Sequence, residues 1–324
     1  MFKKAWGLNK WFVMFCVGFS TLASAAYPDR PIRVVLPYAP GAAGDIVFRQ
    51  LQPALAHELG QTVIVDYKSG AGGTIGGLDV ARAAPDGYTL LLGATNNFVI
   101  NQFLYPGMGY DPLKAFEPIA KVVDVPAFIY MNTKVPAKNF AEFSAYAKQH
   151  PGVLNYGTPG AGTTPALSGW MLSDAIGGKM EQITYRGSAP GVQALLANEI
   201  QVYIGGYSIA SSFLGTGKVK ALAVALPQRF SETPDVPTTA EVGVENAVVS
   251  NWWGLAAPAG TDPAIIARLE NAVKKVLSDP ALQKKLQEQG FVAGNLSAAQ
   301  FKAGLQKEAP YWQEIIKKAG VKLE

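Results

Sequence analysis

Cysteine is almost absent from this chain. The single one, Cys16, lies in an apolar N-terminal run, so everything after it lacks a thiol. That excludes disulfide staples and a cysteine nucleophile, and leaves packing as the source of stability. Histidine is nearly as scarce, with His57 and His150 the only two. Neither has a partner at metal-ligand spacing, and neither is placed for a serine-type triad. Gly206-Tyr207-Ser208-Ile209-Ala210 misses the G-x-S-x-G elbow by one residue. A hydrolase is thus a weak rival. Nucleotide fingerprints fail too: G-x-G-x-x-G from Gly70 needs glycine at 75, where Ile75 stands, and no G-x-x-x-x-G-K-[ST] occurs. Tandem repeats, low-complexity tracts and long charge runs are also missing.

The first residues read as an export leader. Lys3, Lys4 and Lys10 precede an apolar run at 11–22, too short to span a bilayer as a mature helix. Ala23-Ser24-Ala25 fits a small-x-small cleavage pattern, which predicts a signal peptide over 1–25 and cleavage before Ala26. A retained anchor is the alternative. Phe15 before Cys16 does not fit a lipoprotein signal, which wants a small residue there. Three of the 28 Lys and Arg lie in this leader, so 25 basic residues face 24 acidic ones in the mature chain. Near-neutrality argues against nucleic acid or an anionic membrane as partner. With 49% hydrophobic and 16% charged residues, the chain is a packed globule rather than a disordered one. The remaining length is most naturally two domains.

What is present is most informative at 27–49, YPDRPIRVVLPYAPGAAGDIVFR. An apolar run at 32–36 leads through Tyr38, Ala39 and Pro40 into Gly41-Ala42-Ala43-Gly44, and an amphipathic stretch opens at Asp45. This pattern predicts strand, tight turn and helix start. Unpaired N–H groups at such a helix start, on the positive end of its dipole, form an anion site. Alternating apolar runs and helical patterns continue along the chain, predicting βαβ units in mainly parallel sheets. Helices are expected at 45–59, 139–149, 263–277, 280–288 and 298–318, with a further one at 208–214. Two such sets predict crossings near 125 and 250. The first domain is then 26–124 plus 250–324, the second 125–249, with a hinge between.

Nine segments in order carry a resemblance. They are YPDRPIRVVLPYAPGAAGD (27–45), SGAGGTIGG (69–77), PDGYTLL (85–91), YDP (110–112), PGVLNYGTPGAGTTPAL (151–167), YRGSAP (185–190), GKVKALAV (217–224), PDVPTTAEVG (234–243) and WWGLAAPAGT (252–261). Together they resemble the periplasmic receptors of tripartite tricarboxylate transporters, the Bug family. The resemblance implies an α/β fold, a two-lobed periplasmic binding protein of the Venus-flytrap, type II-like kind. It implies capture of a small organic carboxylate in the periplasm and delivery to membrane permease subunits, with no catalysis, cofactor or metal. A ligand sensor for a membrane kinase on the same fold is the alternative. A monomer is expected.

In that family loops at strand ends of both lobes hold the ligand. The matching positions in the first lobe are Tyr38, Ala39, Pro40, Gly41, Ala43, Gly44 and Asp45, then Gly72, Gly73 and Thr74, joined by Thr95, Asn96 and Asn97. The second lobe offers Thr158, Gly160, Gly162, Thr163 and Thr164, with Ala166 and Trp170 on the following helix, then Arg186, then Gly206, Tyr207 and Ser208. The chain departs from the family at Ala166, where His is usual, at Trp170, where Glu is usual, and at Gly205, where an acid is common. Losing an acid and gaining Trp170, Tyr203 and Tyr207 leans toward a ligand without an amine, a dicarboxylic or aromatic acid. Several of these residues carry a second reading. Asp45 and the threonines suit helix N-caps, Arg186 a surface loop, and Asn96 and Asn97 loop formation. Gly72-Gly73 suits a plain turn. Trp252 and Trp253 suit core and interlobe packing.

Overall fold

In the computed structural model, which describes residues 27–323, the first strand, β1 (Ile32–Leu36), is buried almost throughout. Ile32, Val34 and Leu36 enter one apolar cluster and Val35 another. A run without polar alternation is what a strand covered on both faces requires. The predicted leader and its cleavage site near Ala25 and Ala26 lie outside the described residues. Among the described residues no helix is long and apolar enough to cross a membrane.

The chain continues through α1 (Ala43–Leu59), β2 (Val63–Tyr67), α2 (Thr74–Ala81) and β3 (Thr89–Ala94). A π-helical turn, Asn96–Ile100, runs into α3 (Asn101–Leu104), then α4 (Pro112–Ala115) and β4 (Phe116–Val125). The second lobe holds β5 (Phe128–Asn132), α5 (Phe140–Gln149), β6 (Asn155–Thr158), α6 (Thr164–Ala175), β7 (Glu181–Thr184), α7 (Ser188–Ala197), β8 (Val202–Gly205) and β9 (Val219–Val224). The chain then returns as β10 (Asn251–Pro258), α8 (Pro263–Leu277), α9 (Pro280–Glu288), β11 (Val292–Ala293) and α10 (Ala298–Ala319).

Two sheets result, ordered β11-β4-β10-β3-β1-β2 and β7-β6-β8-β5-β9. In each, a strand pairs in parallel with its two successors in the chain: β1 with β2 and β3, β6 with β7 and β8. Next to the third strand lies an antiparallel one that has just crossed from the other lobe, β10 beside β3 and β5 beside β8. Each lobe therefore takes one inner strand from the far side of a crossing. The sheets are mixed, not mainly parallel, because these crossing strands run opposite to the βαβ set. Helices α1 and α8 contribute to the cluster on one face of the first sheet, and α10 to the other, through Phe301, Leu305 and Trp312.

Other local expectations shift as well. Residues 208–214 form two separate 3₁₀ turns, Tyr207–Ile209 and Ser211–Phe213, because Ala210 at φ −130° breaks the helix. Strand β4 is hidden in the sequence by Pro118. That proline sits at a register irregularity opposite Ala256, and β11 covers β4 only at Val123 and Asp124. A strand tolerates proline in such a place, where no ladder bond is asked of it.

Candidate functional site

Between the sheets lies a cleft of about 870 Å³, lined from both lobes. The helices that open onto it share one property. Among the described residues, four of the eight helices of eight residues or more, α1, α2, α6 and α7, begin with no side-chain cap. Ala42 and Ala43, Gly72, Thr163 and Thr164, and Gly187 to Ala189, at or just before those four starts, line the cleft. The other four, α5, α8, α9 and α10, are capped by Asn139, Asp262, Asp279 and Ser297, and none of them starts at the cleft. Free N–H donors and the positive ends of four dipoles are thus gathered at one place.

Among the described residues no Asp, Glu, Lys, Arg or His lines the cleft. Its side-chain polar groups are neutral. Tyr38 donates to Gly72 O at 3.3 Å, and burial raises its phenol above the ordinary value. Burial likewise pushes the Tyr203 phenol up to about 12. Both remain protonated donors at neutral pH. Trp253 is 4% exposed and its indole Nε1, a donor only, finds no acceptor among the described residues. Its ring meets Tyr38 edge to face at 5.3 Å between centroids and covers Gly44, where a Cβ would lie 2.2 Å from the ring. Trp252 turns the other way, packing on Phe98 and Phe301 and donating from Nε1 to Glu308 at 3.1 Å.

Of the residues singled out in sequence, the structure gathers Tyr38, Gly41, Ala43, Gly72, Asn96, Gly160, Gly162, Thr163, Thr164, Gly206 and Ser208 at the cleft. Others stand behind it. Asp45 is not an N-cap, since that position is Ala42. It lies in the first turn of α1 and accepts from Gly41 N at 2.8 Å, Arg49 Nε at 2.8 Å and Tyr67 Oη at 2.6 Å. Burial acts to raise its carboxyl, but the Tyr67 and Gly41 hydrogen bonds and the Arg49 charge outweigh that and hold it below the ordinary value. Gly44 packs under Trp253, while Ala39 and Pro40 are exposed in the turn. Thr74 donates to Ala71 O, and Gly73, at φ +91°, is gripped by Asn97 Nδ2 at 3.1 Å. Asn97 Oδ1 also accepts from Ala94 N, so it acts as a loop former. Thr95 ties β3 to β10 through Asn251 and Trp252 N.

The second lobe corrects the capping expectation. Thr163 holds the N-cap position of α6 but donates back to Gly160 O at 2.8 Å instead of capping the helix. Thr158 is fully buried at the end of β6, and its hydroxyl has no partner among the described residues. Ala166 is buried, and Trp170 packs against the cluster around Trp312, away from the cleft lining. Arg186 is exposed and outside the lining. Tyr207 is also outside it, packed at tilted angles against Phe128 and Phe230. Sequence reasoning missed Asn101, Tyr105, Phe291 and Leu323, all in the lining. Asn101 carried a signal, since it follows Asn96 and Asn97 at helical spacing and donates to Gly72 O at 3.0 Å. Tyr105, four residues further on, continues that helical spacing, while Phe291 and Leu323 reach the cleft only through tertiary packing.

Comparison with known proteins bears on this arrangement. The family described as "Tripartite tricarboxylate transporter family receptor" matches residues 47–321. Among solved structures, the periplasmic binding protein BugD is 36% identical, with a TM-score of 0.78 over 92% of this chain and 100% of its own. MatC from Rhodopseudomonas palustris with bound malate is 31% identical, at 0.77 over 90% of this chain and 100% of its own. An R. palustris protein with adipate is 29% identical, at 0.82 over 91% and 99%. With the match spanning most of its length and the two-lobed fold shared, this chain belongs to the tripartite tricarboxylate transporter receptor family, the Bug family of solute-binding proteins.

Proposed function

We propose that the protein captures a small organic carboxylate without an amine, closes on it, and hands it to the membrane permease of a tripartite transporter outside the cytoplasm. The observation that carries this reading is the gathering of four uncapped helix starts on one cleft that holds no charged side chain. A carboxylate can be held there by backbone N–H groups, each charge-assisted bond being worth about 1.5–3 kcal/mol. The helix starts lie on both lobes, so an acid with a carboxylate at each end can engage both. An ammonium group would find no acid in the lining, and a buried unpaired cation is costly. Tyr38, Tyr105, Tyr203 and Trp253 supply apolar faces for a carbon chain or ring. Bound malate and adipate in the two relatives fit this class.

Differential affinity for the closed form is what shifts the lobes together. Isothermal calorimetry with adipate, malate, terephthalate, aspartate and glutamate tests the reading. Binding of one or more of the amine-free acids is expected, with aspartate and glutamate much weaker. Tight binding of aspartate or glutamate alone would overturn it. Thermal shift gives a second readout: a ligand at ~100 times its Kd adds ~2.7 kcal/mol of apparent stability.

A further inference from the structure

We propose that Leu323, in the tail after α10, and Gly162, in the loop before α6, form an interlobe latch that sets how far the ligand-free receptor closes. The inference rests on the capture-and-closure reading above, and adds to it a contact the ligand does not make.

Three observations meet at this point. The tail belongs to the first lobe, where Leu323 N donates to Leu104 O at 3.0 Å. Its side chain nonetheless reaches the second lobe and lines the cleft. A Cβ on Gly162 would lie 2.4 Å from Leu323 Cδ1 and 2.8 Å from Leu104 Cδ1. Gly162 does not have a positive φ. Its backbone is thus open to any residue, and the reason for glycine there is space: the missing side chain is the notch that receives a two-leucine knob. Beside the notch, Asn96 of the first lobe donates from Nδ2 to Gly162 O at 2.8 Å and accepts from Thr164 Oγ1 at 3.2 Å. An apolar knob and a polar clasp therefore hold the same loop from across the cleft.

This loop opens helix α6, so the latch also places that helix start against the first lobe. Asn96 has its amide committed to the opposite lobe, which makes it a positioning residue for closure and not only a wall of the cleft. The rest of α6 is seated to match. Ser168 Oγ accepts from Val249 N at 3.1 Å, just before the return crossing, and Leu167 and Met171 are buried in the cluster around Trp312. The N-terminal turn of α6 is the part that swings, and the latch is what it swings onto.

The test needs no ligand. Small-angle scattering would compare the unliganded wild type with Gly162→Ala, Leu323→Ala and the double variant, each first shown to melt cooperatively. An alanine methyl at 162 forces either Leu323 or the lobe to move, so Gly162→Ala is expected to enlarge the radius of gyration in the wild-type background. In the Leu323→Ala background the same change is expected to add less, because only the contact with Leu104 Cδ1 is then left to displace. A chain ending at Gly320 should behave as Leu323→Ala does, and serves if Gly162→Ala fails to fold. Equal increments from Gly162→Ala with and without Leu323, or identical profiles for all variants, would overturn the latch. Titration with adipate and malate then separates this idea from the functional one. If either binds, the opened variants should lose about three- to tenfold in affinity, since only the closed fraction is competent. If neither binds, the scattering result stands by itself and the carboxylate reading alone is in question.

Discussion

Asp45 sits at the start of α1 yet serves the protein rather than the cleft. Its two oxygens take hydrogen bonds from Gly41 N–H, Arg49 and Tyr67, so removing the carboxylate breaks three hydrogen bonds. Asp45→Ala is expected to cost about 1–3 kcal/mol in urea unfolding at pH 7. The sign with pH follows from its depressed value. The native state favours the ionised form, so the contribution is whole above the ordinary carboxylate value of ~3.9 and is lost as pH falls through the lower native one. The gap between wild type and Asp45→Asn in urea midpoint should therefore narrow in strong acid. Gly44 gives a second residue-level expectation. A methyl there meets the Trp253 ring at 2.2 Å, so Gly44→Ala should destabilise by about 1–3 kcal/mol through overpacking and disturb the cleft wall. Differential scanning calorimetry reads the first effect, and Trp fluorescence the second.

Among the elements, the division of helices into capped and uncapped gives a sharper experiment. Ala42 has the extended backbone of an N-cap, with φ −66° and ψ 159°. Ala42→Asp should cap α1 and raise stability by about 0.5–2 kcal/mol. The same carboxylate occupies the donors a ligand needs and repels an anion, so adipate or malate binding should fall by tenfold or more in calorimetry. Ser297→Ala, on α10 and away from the cleft, should cost ~1 kcal/mol with binding unchanged. This division also explains what was legible. Helices α5, α8, α9 and α10 announce themselves with Asn139, Asp262-Pro263, Asp279-Pro280 and Ser297. The sequence places the start of α1 two residues late, at Asp45, because the side-chain cap that marks a helix start is missing where α1 opens onto the cleft. Glycine loops at 41–44, 72–73 and 160–162 were readable for the same reason in reverse. Strands β4 and β5 were obscured by Pro118 and Pro126, and Phe291 and Leu323 carry no local sign, since long-range packing alone delivers them to the cleft.

Taken as a whole, the described molecule keeps its charged side chains away from the cleft and collects some of them near the crossings. Glu308 of α10 accepts from Trp252 Nε1, and Lys121 Nζ meets Asp124 at 2.6 Å at the end of β4. Burial raises both Glu308 and Asp124 above their ordinary values despite the Lys121 charge. Here the sign is opposite to that of Asp45. The native state favours the protonated acid, so this contribution is present below the ordinary carboxylate range and is lost as pH rises through the raised values. Glu308→Gln keeps an acceptor for Trp252 without the charge. It should raise the melting temperature at pH 7 and show a shrinking advantage toward pH 4. The strand order has a consequence for biosynthesis. The second sheet is complete once β9 has been made, but β10, wedged between β3 and β4, emerges only afterwards. A growing chain therefore carries about a hundred residues of unfinished first sheet until that late segment arrives. Any factor that keeps nascent chains pliable must shield the amino-terminal portion for longer than the middle.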